Sequence, residues 1–247
     1  METVLGNCIG SVLQDGSTVE PLIATKGGMK RIGCESNSWR EASYHTSEAW
    51  ETCIRASLRR LHCDAQHPLA LWQVHHCKPQ HLAAVMTALQ RLVAENLIQY
   101  VGLCNVSVAD VGFCQQYLPI ASVQNPYSLW DRTAERPLHG KSTNTSKRGM
   151  LAYCTEHSIP FLAYGVLGGL AARRGENRWL AYPDLLSLAD KKGIHITTLV
   201  LSMMRHRFPC LLPLVGTRRQ RHMEMLRAVF SVRLTRRELE LFPPLDA

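Results

Sequence analysis

Six short apolar runs in this chain end on polar side chains that a purely structural strand would not select. Lys26 follows Ile23-Ala24-Thr25, His75 follows Leu71-Trp72-Gln73-Val74, and Asn105 follows Gly102-Leu103-Cys104. Gln124-Asn125 follows Ala121-Ser122-Val123, Tyr164 follows Phe161-Leu162-Ala163, and Gly216-Thr217-Arg218 follows Pro213-Leu214-Val215. An ammonium, an imidazole, carboxamides and a phenol carry protons and hydrogen bonds. Their recurrence at the carboxyl ends of apolar runs matches the rim on which α/β barrels assemble sites from loops. Arg218, Arg219 and Arg221 add a second signal, because arginine at the start of a helix opposes the helix dipole and calls for an anion.

A patch of His62, Cys63, His67, His75, His76, Cys77 and His81 invites a zinc reading. Its spacing fits no standard zinc pattern, so no metal is expected, and His62, His67 and His81 are read as surface or helix-end residues.

The elements that must hold these groups alternate between β-like and helical runs, the pattern of βαβ units and a parallel sheet. Residues 22–25 form the first run. After a Gly-rich polar connection over 27–43, Thr46 or Ser47 caps a helix whose Trp50, Ile54, Leu58 and Leu61 share one face. Strands follow at 69–74, 98–104, 120–124, 159–164 and 211–215. Helices are expected on the stripe Leu82, Val85, Leu89, Leu92 and Val93, and over 111–118, 150–157, 184–192, 197–207 and 220–230. Gly193 stops one helix, Thr235-x-x-Glu238 opens another as a capping box, and 126–148 reads as a long polar connection. Six strands suit an open sheet or a barrel. The absence of a G-x-G-x-x-G turn after the first strand favours the barrel.

At 247 residues with 46% apolar side chains, the chain is expected to form one domain, 1–247, rather than a disordered polymer. No window holds the ~18 uninterrupted apolar residues of a membrane span, and the start has no basic, apolar leader pattern. Nine scattered cysteines, never in C-x-x-C spacing, read as reduced thiols, which points to the cytoplasm. A net charge of +8 suits a polyanion or a phosphorylated cofactor. No basic stripe interleaved with aromatics runs along a helix, so nucleic acid is not expected as a partner.

Taken in order, Ala24-Thr25-Lys26-Gly27-Gly28, Ser57-Leu58-Arg59-Arg60-Leu61, Gln73-Val74-His75, Gly102-Leu103-Cys104-Asn105-Val106-Ser107, Val123-Gln124-Asn125-Pro126-Tyr127-Ser128 and Ala163-Tyr164 resemble the aldo-keto reductase family. The resemblance runs from Gly6 to Phe242. It implies a TIM-type (β/α)8 barrel, incomplete, with about six of its eight strands, since the family's first strand, first helix and second strand have no counterpart. It also implies NADPH-dependent reduction of a small-molecule carbonyl, an aldehyde or a ketone, to an alcohol in a small-molecule biosynthetic pathway.

By the same resemblance Lys26 and His75 are the catalytic lysine and histidine. In the family the lysine, paired with an aspartate, lowers the pKa of a proton-donating tyrosine, as an ammonium beside a phenol favours the phenolate. A buried lysine lacking that aspartate would lose charge. Asn105 and Gln124 are expected at the nicotinamide carboxamide and Tyr164 against its ring, with Cys104 where the family often has serine. Gly165, Leu167 and Gly168 match the pyrophosphate loop, and Gly216, Thr217, Arg218 and His222 the adenosine-phosphate region. The family's aspartate and tyrosine lie in D-T-A-x-x-Y-G, and the best register sets Leu5-Gly6 against its Y-G. Met225-Leu226 replaces an adenine-contacting Glu-Asn pair. The alternative reading is a catalytically impaired NADPH-binding regulatory protein with a protein partner.

Overall fold

The computed structural model describes residues 2–7, 22–31, 39–41, 44–137, 149–169, 178–217 and 219–245. Six parallel strands with intervening helices form an α/β arrangement. Each strand neighbours the next in the order β1 (Ala24–Gly27), β4 (Leu69–Val74), β5 (Ile98–Cys104), β6 (Ile120–Pro126), β7 (Phe161–Tyr164) and β8 (Leu211–Pro213). The chain divides into two compact units, Met1–Val123 and Gln124–Ala247.

In the first unit, the register sets Lys26 opposite Gln73, and Gln73 opposite Gly102. This register also explains a buried polar pair. Gln73 donates to Ser122 Oγ at 3.2 Å, and a Cβ on Gly102 would fall 2.3 Å from that oxygen, so the close approach requires glycine. Helix α2 (Ser47–Leu61) is capped by Thr46, whose hydroxyl accepts from Ala49 N–H, and it buries Trp50, Ile54, Leu58 and Leu61 as the spacing predicts. Burial of such side chains contributes roughly 1.5–3 kcal/mol each. Helix α3 (Leu82–Ala94) buries Leu82, Val85, Leu89 and Leu92, while Val93 stays partly exposed.

Three features depart from the sequence reading. Residues 2–7 form a helix, α1, where no element is expected. Glu2 ties it down by accepting from Thr25 Oγ1 at 2.8 Å and pairing with Arg60 at 2.7 Å. Within the Gly-rich connection, β2 (Met29–Arg31) and β3 (Trp39–Glu41) pair antiparallel. Helix α4 (Val108–Cys114) starts earlier than the apolar pattern suggests, because Ser107 and Asp110 form a reciprocal capping box.

In the second unit, β7 pairs with β8 and the helices are α5 (Met150–Glu156), α6 (Pro183–Lys191), α7 (Ile196–Arg207), α8 (Gln220–Ala228) and α9 (Arg236–Leu239). The predicted Thr235/Glu238 capping box opens α9. The connection read as a loop over 126–148 is ordered in its first part. A 3₁₀ turn at Thr133–Glu135 carries a buried cluster in which Arg132 and Tyr127 both donate to Glu135. Arg132 also donates to the Pro243 carbonyl at 3.1 Å and lies over the Phe242 ring. Burial raises the Glu135 carboxyl, and the hydrogen bonds from Arg132 and Tyr127 outweigh it, holding the group below the usual carboxylate range.

Candidate active site

Parallel pairing of β1, β4 and β5 brings the carboxyl ends of three strands side by side in the first unit. Lys26 leaves β1, His75 leaves β4, and Cys104 with Asn105 leave β5. The His75 N–H donates to the Gly27 carbonyl at 2.7 Å, which anchors the histidine one residue beyond Lys26 on the neighbouring strand. Asn105, in the left-handed region at φ 58°, sends its Nδ2 to the His75 carbonyl at 3.0 Å and lies 3.1 Å from His76 Nε2. The donor end of that amide therefore steadies the histidine segment.

These groups share one electrostatic environment. Burial pushes the His75 imidazole down to about 4, and the Lys26 ammonium followed by His76 pushes it the same way. The same ammonium pulls against the burial that raises the Cys104 thiol to about 12. At neutral pH the site thus holds a neutral imidazole and a neutral thiol within the field of one lysine. Lys26 is exposed on β1, the first strand in the sheet order. Leu5, set by sequence register at the family's tyrosine, lies on α1 with 44% of its surface exposed.

The second unit holds the remaining candidates in two clefts. Gln124 is buried near the end of β6. Tyr164, Gly165 and Gly168 line one cleft together with Tyr127, Ser128, Trp130, Asp131 and Arg178. Its turn is fixed by Tyr127 N–H donating to the Tyr164 carbonyl at 3.1 Å, and by Ser128 Oγ accepting from the N–H groups of Trp130 and Asp131. Leu167, Gly216, Thr217 and His222 line the other, a cleft of about 530 Å³. Arg218 lies outside the described residues.

The larger cleft fits a phosphorylated dinucleotide by the chemistry of its donors. Arg221, His222, His195 and Thr217 offer cationic or hydrogen-bonding groups. Thr217 Oγ1 lies 3.2 Å from His222 Nδ1 and accepts from Arg219 N–H at the same distance. Helix α8 has no acidic residue in its first turn and no side-chain cap, so its positive end and Arg221 both favour negative charge there. Met225 and Leu226 line the same cleft, giving an apolar wall where the resembled family offers an acid and an amide.

Sequence reasoning missed His195, Trp130 and Arg178. His195 caps α7 by accepting from Thr197 N–H at 3.2 Å, and its place before a β-branched run was the available signal. Among the described residues, no three His, Cys, Asp or Glu side chains converge to hold a metal ion.

The model of the aldo/keto reductase family matches residues 1–244. The chain belongs to the aldo/keto reductase family. An uncharacterised oxidoreductase of Schizosaccharomyces pombe is 29% identical over 228 residues, which cover 91% of this chain and 64% of that protein. The chain thus spans just under two thirds of that relative's length. Among solved aldo/keto reductase-like structures, the glycerol dehydrogenase of Gluconobacter oxydans superposes with a TM-score of 0.76 at 21% identity, covering 98% of this chain and 75% of that one. An aldo/keto reductase from Klebsiella pneumoniae, solved in complex with NADP and acetate, gives 0.66 at 23% identity over 99% and 76%. These likenesses establish the barrel fold, of which the described residues supply six parallel strands. No described helix is long and apolar enough to cross a membrane.

Proposed function

We propose that this chain acts as an NADPH-dependent reductase of a small-molecule aldehyde or ketone in the cytoplasm, working as one domain over residues 1–247. The observation that carries the reading is the grouping of Lys26, His75, Cys104 and Asn105 at three adjacent strand ends, with the Lys26 field reaching both His75 and Cys104. NADPH supplies a hydride to the carbonyl carbon when bound. Gly216, Thr217, Arg218, Arg221, His222 and His195 would hold its adenosine-phosphate end, Gly165, Leu167 and Gly168 its pyrophosphate, and Gln124 and Tyr164 its nicotinamide.

His75, neutral at working pH, donates one ring N–H to the carbonyl oxygen and fixes which face is presented. Lys26 stabilises the charge that develops on that oxygen. Leu5 carries no proton, which leaves the Lys26 ammonium as the acid of the group. The experiment follows loss of nicotinamide absorbance on mixing NADPH, a panel of aldehydes and either the native chain or Leu5→Tyr. Slow turnover by the native chain and a gain of roughly 100-fold in Leu5→Tyr are expected, the contribution typical of a positioned general acid. Absence of turnover in both forms would overturn the reductase reading.

Leu5 itself favours a second reading, a catalytically impaired protein that binds NADPH and reports it to a protein partner. That reading predicts saturable cofactor binding with no turnover in either form.

A further inference from the structure

Two thiols of the second unit, neither used by the proposed reductase chemistry, flank one short stretch of backbone. The Cys154 carbonyl, on α5, accepts from the Ile159 N–H at 2.8 Å, and the Cys210 carbonyl, just before β8, accepts from the Phe161 N–H at the same distance. Residues 159–161, which lead into β7, therefore meet one cysteine at each end. The Cys210 side chain reaches back to α5. Its Sγ lies 3.2 Å from Thr155 Oγ1 and 3.8 Å from the Leu151 carbonyl oxygen, and that hydroxyl donates to that carbonyl at 2.8 Å. Leu151 and Thr155 bracket the helical turn that carries Cys154, so the Cys210 sulfur rests on that turn.

The two thiols differ in access. Cys154 is fully buried, whereas Cys210 is partly exposed. Burial, and after it the neighbouring Cys210, push the Cys154 thiol up to about 12, which makes it a poor target for direct attack. An oxidant from solution meets Cys210 first.

We infer that Cys210 and Cys154 form a reversible disulfide when the protein meets hydrogen peroxide. The Cys210 sulfur attacks the peroxide O–O bond and keeps one oxygen as a sulfenic acid, while the other oxygen leaves as water with the thiol proton. The Cys154 sulfur then attacks the Cys210 sulfur. The S–O bond breaks, its oxygen leaves as a second water with the Cys154 proton, and the new S–S bond joins α5 to the start of β8. Two thiols lose two electrons, and the peroxide is reduced to water. Because little Cys154 thiolate is present at neutral pH, the second step is slow. The link closes a loop over residues 154–210, which restricts the unfolded chain more than the folded one.

The test is mass spectrometry of the full chain after treatment with hydrogen peroxide, blocking of free thiols and tryptic digestion without reduction. Cleavage after Arg148, Arg173, Arg207 and Arg218 places each thiol alone on its own peptide, 149–173 and 208–218. The two peptides should appear joined, and dithiothreitol should separate them. Cys154→Ser should leave Cys210 as a sulfenic acid that dimedone captures, and Cys210→Ser should leave Cys154 unoxidised. The linked native chain should also unfold at a higher urea concentration than the reduced chain. Native Cys210 oxidised to a sulfinic acid beside a free Cys154 would overturn the inference. So would no reaction at either thiol, a link from either one to a third cysteine, or a linked chain less stable than the reduced one.

Discussion

His75 is held neutral by burial and by the ammonium that precedes it on the neighbouring strand, and this makes its titration a probe of the site. Replacing Lys26 with Met removes the neighbouring ammonium, so the imidazole should titrate above about 4 while staying below 6.5, because burial remains the larger cause. Proton NMR of the histidine ring checks this, and an unmoved titration would show that the two residues do not sense each other. The same depression links acidity to stability. Unfolded, the imidazole takes a proton near 6.5, whereas folded it resists until about 4. The unfolded chain therefore binds more protons in that window, and stability should fall as pH drops through it. Urea midpoints at pH 7.5, 6 and 5 should show the loss, and His75→Gln should remove that part of it. Lys26, His75 and Asn105 were legible as polar tips on apolar runs, and Cys104 only through the family resemblance. The hydrogen bond by which Asn105 steadies the His75 carbonyl was not, since it depends on a left-handed backbone that sequence pattern does not encode.

At the scale of elements, periodicity located what faces a core and lost what is held by polar contacts. The α2 stripe and its Thr46 cap were readable because burial and capping both act over three- and four-residue spacings. Helix α1 was not, because its attachment runs through Glu2 to Thr25 and Arg60, far along the chain. The cluster at Arg132, Glu135 and Tyr127 escaped for the same reason, its partners reaching to Phe242 and Pro243. That cluster gives a sharp expectation: Glu135→Ala leaves the Arg132 guanidinium buried without its carboxylate and should cost roughly 3–5 kcal/mol. Chemical denaturation measures it. A loss below 1 kcal/mol would mean that Arg132 finds water or another acceptor. Ser107→Ala, which removes half of the α4 capping box, should cost only about 1 kcal/mol in the same assay.

Across the whole molecule, six parallel strands and a net charge of +8 set the terms on which the proposed anionic cofactor would be met. The barrel class was legible because strands and crossover helices alternate and the glycine turn of an open dinucleotide-binding sheet is missing. The clefts were not, since their walls gather residues separated by long stretches of sequence, such as His195 and Arg221 or Trp130 and Arg178. Exposed basic groups are screened by salt, so cofactor affinity should weaken as ionic strength rises. The most direct test is a fluorescence titration of the full chain with NADPH and, in parallel, NADH. Saturable binding of both is predicted, with NADPH favoured by roughly 10-fold through its extra phosphate and the preference shrinking in high salt. No saturable association of either nucleotide, or equal affinity for the two, would contradict the account.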